Sequence, residues 1–297
     1  AVMGVAAALL WTGGSTHVLD GSIKQRLGRA SSILYSAVAA GQVIGVLTMG
    51  TLSRSRGPVN KYWWILGIAT FFGATGAIVA TTVPKVPGAE NRPRARYLLD
   101  FYRRPSNWVM PLVASLAAAP YGFVLGVLNA SANKAAPVWG VTAVLALYYG
   151  GNCLISAVSG RISDRLGRWG TFAACLVLPG AMLTIIGLFE TSMALLCLAA
   201  VALAWPHGGL SPVMMAWVGD LSTPETRATV HACAFSWRDL GVGASLLLGG
   251  TLQAVLPRDE GVFLVFGLFF LCAGVFTYIV HKLTGGRHGH PVGSRSV

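Results

Sequence analysis

Two adjacent charges, Arg238 and Asp239, lie near the middle of an otherwise apolar run at 229–253. An ion at mid-bilayer is expensive, so it generally has a task or a partner. Neighbours in sequence point about 100° apart on a helix and need not pair with each other. Arg238 shares a helix face with His231 and Ser245, each seven residues away. That stripe can line an aqueous cavity and offer positive charge to an anionic solute. Asp239 shares a face with Phe235, Ser236 and Gly243, the pattern of a helix contact. It is also the one acid deep in any apolar run, and so the obvious carboxylate for carrying a proton. His207 sits between Pro206 and Gly208. Proline beside glycines can break a membrane helix and bare backbone groups to a ligand, and an imidazole there can take up a proton near neutral pH. The plainer alternatives are a structural network for the Arg–Asp pair and a satisfied carbonyl for the histidine.

Further polar stripes accompany these residues. Tyr149, Asn152, Ser156 and Ser159 fall on one face of a helix. Gly122, Gly126, Asn129 and Asn133 do so one run earlier, and Tyr35 and Gln42 share a face nearer the N-terminus. Each set can face a cavity or hydrogen-bond a neighbouring helix. Gly41-x-x-x-Gly45 and Gly122-x-x-x-Gly126 read most simply as sites of close helix packing. The five cysteines, Cys153, Cys175, Cys197, Cys233 and Cys272, all fall within apolar runs without metal-ligand spacing. The Asn129-Ala130-Ser131 sequon lies at the edge of a membrane run, and His288-Gly289-His290 belongs to a short polar tail. No phosphate loop, zinc signature or nucleophile with a positioned base is present in the sequence. Neither an enzyme nor a resident cofactor or metal is expected.

The elements that must position these groups follow from composition. Of 297 residues, 54% are hydrophobic and only 11% charged, with mean hydropathy +0.64. A soluble domain carries about 25% charged residues, which excludes an ordinary water-soluble globule. The net charge of +12 sits almost wholly in short loops between apolar runs. Lipid headgroups and membrane topology explain it better than nucleic acid does. About nine spans are expected, at 1–19, 31–52, 62–83, 107–130, 139–160, 169–189, 192–218, 229–253 and 261–281; roughly 20 helical residues cross the hydrocarbon. Tyr62, Trp63 and Trp64 open the third as an interfacial aromatic belt. Basic residues concentrate in alternate loops, 20–30, 84–106, 160–168, around Arg227 and beyond Lys282, which the positive-inside rule makes cytoplasmic. The Arg54–Lys61 loop is a local exception. Within 84–106, Leu98, Leu99, Phe101 and Tyr102 among arginines fit either a short interfacial helix or a solvated linker.

The charged stretch Gly160-Arg161-Ile162-Ser163-Asp164-Arg165-Leu166-Gly167-Arg168 joins two of these spans. Gly160 and Gly167 are expected to allow a tight turn, and Asp164 to cap a helix end. An internal echo also spans the chain. Asp20 through Arg29-Ala30 is answered by Asp220 through Arg227-Ala228, and Gly41 through Gly50-Thr51-Leu52 by Gly241 through Gly250-Thr251-Leu252. Such echoes point to a two-half architecture.

The 160–168 stretch resembles the G-x-x-x-D-R-x-G-R loop of the major facilitator superfamily of secondary transporters. Gly208-Gly209-Leu210-Ser211-Pro212, Trp217-Val218-Gly219-Asp220 and Trp237-Arg238-Asp239-Leu240-Gly241 resemble helices ten and eleven of its bacterial members. The resemblance implies an all-α membrane protein, helices 4–12 of a twelve-helix plan, with helices one to three outside this sequence. It divides the chain into the end of one bundle (1–83), a central cytoplasmic loop (84–106), a six-helix bundle (107–283) and a cytoplasmic tail (284–297). It implies alternating-access transport of a small solute, with proton coupling, in a bacterial inner membrane. By the same analogy Gly160, Asp164, Arg165, Gly167 and Arg168 form a conformational latch, Asp164 docking near Ala30–Ser32. The contrasting class is a membrane sensor or assembly protein on the same fold, or an inactive fragment.

Overall fold

The computed structural model describes residues 13–22, 27–55, 58–82, 101–103, 108–223 and 226–283, the side chains of 53–55, 58–62, 80, 110 and 164 excepted. Among these residues every regular element is helical. The elements are α1 (13–20), α2 (Leu27–Ser55), α3 (Pro58–Thr82), α4 (Val109–Phe123), α5 (Asn129–Ala135), α6 (Gly140–Ile186), α7 (Met193–Leu221), α8 (Arg227–Val255) and α9 (Asp259–Leu283). A π-helical turn, Val124–Leu128, joins α4 to α5. Six stretches among the described residues are long and apolar enough to cross a bilayer: Leu27–Leu52, Pro111–Ala135, Gly140–Ser163, Arg165–Ile186, Met193–Leu221 and Asp259–Leu283. These match six of the nine expected spans. α3 holds a shorter apolar run, Trp63–Val79. α8 has the length, 29 residues, but carries Arg227, Arg238 and Asp239. The first expected span lies mostly outside the described residues, as do most of 84–106 and the whole 284–297 tail.

The charged 160–168 stretch is not a loop. α6 stays helical through Gly160 and turns at Gly167, the one residue with positive φ among those described (φ 78°, ψ 158°). Only glycine adopts that conformation cheaply, so Gly167 alone makes the corner between the two arms of α6. Gly160 has a different role. A Cβ there would run into the Gly28 carbonyl and Ser32 of α2, so its bare backbone lets the two helices touch.

Lipid is as apolar as leucine, so close packing rather than expulsion from water must hold such helices together. Small residues supply that packing. Along α4 and α8, Gly122 lies against Val242 and Ser245, Gly126 against Leu246, Gly241 against Ser115 and Gly249 against Val127. Between the second arm of α6 and α9, Gly180 meets Gly267 and Leu271, Gly187 meets Leu264, and Gly274 meets Val177. α2 runs antiparallel to the first arm of α6, with Gly28 on Gly160, Ser36 on Cys153 and Gly50 on Thr142. The pairing expected of Gly122 and Gly126 is therefore present, and it turns that face toward α8 rather than toward a cavity. Gly41 and Gly45 pack against nothing within 4 Å, because that face of α2 is turned outward.

α7 is the central helix. Every residue from Gly208 to Gly219 is buried, which is why its sequence is apolar all round. α3 is the opposite case: Trp63, Phe71, Phe72 and Ile78 are exposed, as suits a lipid-facing helix.

Candidate functional site

Four prolines interrupt the interior hydrogen-bond ladders: Pro120 in α4, Pro179 in α6, and Pro206 and Pro212 in α7. The break that Pro206-His207-Gly208 could make does not occur; α7 is helical from Met193 to Leu221. Packing on all sides holds it in register, and a side chain repairs part of the ladder. Proline lacks an N–H, so Pro212 deprives the Gly208 carbonyl of its helical partner. The Ser156 hydroxyl of α6 lies 3.1 Å from that oxygen and 3.1 Å from Asn152 Oδ1, and donates to one or the other. Gly208 is glycine because a Cβ would meet the Asn152 backbone. Asn152 is 3% exposed.

One turn from this contact, rings from three helices converge. His207 lies 4.5 Å from the Tyr121 ring and 5.9 Å from Tyr148, centroid to centroid. The Tyr121 and Tyr149 hydroxyls are 3.4 Å apart. The Tyr148 hydroxyl is buried without a partner. Tyr121 and Tyr148 carry no weight in the sequence reading, although Tyr121 beside Pro120 and the Tyr148-Tyr149 doublet were visible signals.

Arg238 projects from α8 and lies within electrostatic reach of His207. Its guanidinium is 4.5 Å above the Phe235 ring, and Phe235 stacks on His231 at 4.0 Å. The expected stripe of His231 and Arg238 is therefore assembled, with Phe235 as its filling. Arg238 and Asp239, which helix geometry does not oblige to pair, do pair: Nε and Nη2 donate to Asp239 Oδ1 at 2.8 and 2.7 Å. Long side chains bend back over the 100° that separates their Cα–Cβ bonds. Asp239 is not in a helix contact either. Its side chain is 65% exposed, against 15% for Arg238, and Gly243 beside it faces open space. Tyr35 of α2 and His207 both lie within the field of Arg238. Ser245, on the expected stripe, is buried against Gly122 with its hydroxyl unpartnered.

The remaining candidates lie elsewhere. Asn129 donates to the Leu125 carbonyl of the preceding π-helical turn at 3.3 Å. Gln42 is half-buried two turns beyond Tyr35. At the 160–168 end, the Gly160 N–H donates to Ser32 Oγ at 3.0 Å. Arg168 binds Ser163 Oγ at 2.7 Å and Asp220 Oδ2 at 3.3 Å. Arg227 pairs with Asp20, so an arginine of one sequence echo meets the acid of the other. Arg165 is exposed, and the side chain of Asp164 lies outside the described residues. At the opposite end Ser131 and Lys134 bind Asp259, and Glu260 accepts the Thr191 N–H at 2.6 Å. An open bowl of about 810 Å³ there, lined in part by Lys134, Glu190, Arg258 and Glu260, shares no residue with the Arg238 cluster.

The family profile of the Major Facilitator Superfamily matches residues 139–296. The chain belongs to that superfamily. Membership makes it an integral, multi-pass membrane protein of a family whose work is transmembrane transport. The match takes in α6 to α9, and so Arg238, Asp239, His207 and His231 as well as the Gly167 corner. No curated protein matches the chain.

Proposed function

We propose that the chain is the core of a proton-coupled secondary transporter that moves a small, negatively charged solute by alternating access. Residues 1–83 contribute the end of one bundle, 107–283 form the other, 84–106 links them and 284–297 is a tail. The 160–168 end faces the cytoplasm of a bacterial cell, with the latch residues Gly160, Asp164, Arg165, Gly167 and Arg168 closing it. One observation carries the reading: the Arg238 side chain is only 15% exposed in an apolar helix bundle, lying over the Phe235 ring and paired with an Asp239 that is 65% exposed. A cation so placed is retained at a cost, and a solute anion that enters beside it would offset that cost. Tyr149 and Asn152 would add the neutral hydrogen bonds that fix a ligand's orientation.

The test is uptake into proteoliposomes under an imposed pH gradient, with a panel of labelled small organic acids, amines and sugars. An acid should accumulate, and Arg238→Gln should abolish its uptake. Asp239→Asn should alter it, since the mate of Arg238 is then neutral. Accumulation of an amine or sugar alone, or unchanged uptake in both variants, would remove the assignment.

A further inference from the structure

Among the described residues His231 has no hydrogen-bond partner. Both ring nitrogens are buried without a partner, and the residue is 0% exposed. It lies one turn inside Arg227, whose pairing with Asp20 ties the start of α8 to α1. Its one ring contact is the stack on Phe235, whose ring also lies beneath Arg238.

We propose that His231 is the residue that binds the coupling proton, and that it must give the proton up whenever the 160–168 end closes. This rests on the transporter reading above and assigns the coupling role to His231 rather than to Asp239. In the closed arrangement an imidazolium at this site would have no acceptor and would sit near a second cation, Arg238. Burying an unpaired charge is far more costly than burying a neutral ring. Even the neutral ring forfeits two hydrogen bonds here, and a buried group left unmade is penalised. The site is therefore satisfied in another arrangement, one in which the Asp20–Arg227 tie has parted and water reaches both nitrogens. There the ring can take a proton, and closing again expels it to water. Asp239 already has a mate, since Nε and Nη2 of Arg238 both donate to its Oδ1, whereas His231 has none.

The surroundings of His231 contain few other groups that titrate. α8 supplies Arg227, Arg238 and Asp239. Asp20 of α1 pairs with Arg227, and Tyr35 of α2 and His207 of α7 share with His231 the field of Arg238. None of these carboxylates reaches the His231 ring in a hydrogen bond.

The probe is the proton itself. Full chain carrying Asp20→Cys and Arg227→Cys is labelled with ¹⁵N-histidine and followed by NMR before and after a short bifunctional thiol reagent joins the two positions. A His231→Gln companion identifies the resonance. Uncrosslinked protein should show a His231 signal that protonates between pH 5 and 8, where histidines titrate. Crosslinked protein should show at least a tenfold smaller protonated fraction at pH 6. Because one polypeptide provides both states, a folding defect cannot mimic the result. Equal titration before and after crosslinking, or a ring that stays neutral in both, overturns the proposal. Failure of pH-gradient uptake with a gate-dependent His231 would instead count against the transporter reading.

Discussion

Ser156 offers the sharpest test of how α7 survives two prolines. Its hydroxyl lies 3.1 Å from the Gly208 carbonyl that Pro212 leaves without a helical donor. Ser156→Ala orphans that oxygen in a dry interior. Leaving a buried acceptor unmade costs about 1–3 kcal/mol, and hydrogen bonds between membrane helices are worth about 0.6 on average and about 1.7 at most. About 1–2 kcal/mol is expected for the single change. Pro212→Ala restores an N–H at the right position to bond Gly208 within α7 itself. In that background Ser156→Ala should cost about 0.5 kcal/mol or less, giving a coupling energy near 1 kcal/mol in a double-mutant cycle. Equilibrium unfolding in mixed micelles with rising SDS measures all four proteins. Equal costs for Ser156→Ala with and without Pro212 would refute the reasoning, and would leave the serine as a partner of Asn152 alone.

Three further outcomes follow from the packing and the charges. Gly160→Leu forces a side chain against Gly28 and Ser32; overpacking costs about 1–3 kcal/mol, so the closed 160–168 end should lose at least about fivefold in population, read as faster alkylation of a cysteine placed at Ser36. Gly267→Leu meets the Thr184 backbone and should destabilise the α6–α9 pair by a similar amount, whereas Gly250→Leu, which faces open space, should stay within about 0.5 kcal/mol in the same SDS titration. Asp239→Asn strands the mostly buried Arg238, while Arg238→Gln strands an acid that is 65% exposed; folded yield in detergent should fall more for Asp239→Asn, and the double variant should regain yield but not transport.

The membrane character of this chain was legible because it is a matter of composition and run length. Six long apolar helices sit where the hydropathy places them, and the family match covers the segment that carries the charged motif. Local conformation was harder to read. Two glycines in the 160–168 stretch look alike in sequence, yet Gly167 takes positive φ and Gly160 permits helix contact, a difference set by α2, more than 100 residues away. Pro206-His207-Gly208 could spell a break, but the helix is held in place by burial of every residue from Gly208 to Gly219. The stripe of His231 and Arg238 was visible from a seven-residue spacing, because periodicity along one helix is a local property. That Tyr35 and His207 fall within the field of Arg238, and that Asp20 and Arg227 cross-pair, depends on which helices become neighbours. The pairing of Arg238 with Asp239 depends on side-chain reach, which Cα geometry does not report.

In the proposed transporter, water reaches the Arg238 cluster from one face of the membrane at a time. Cysteines placed singly at Tyr35, Asn152 and His207, in a chain whose five native cysteines are replaced, can be challenged with a membrane-impermeant thiol reagent from each side of a proteoliposome. With the Asp20–Arg227 tie intact, labelling should come from the face opposite residues 160–168; with Asp20→Asn it should shift to the 160–168 face. Cysteines that stay unreactive from both faces in both proteins would contradict the account.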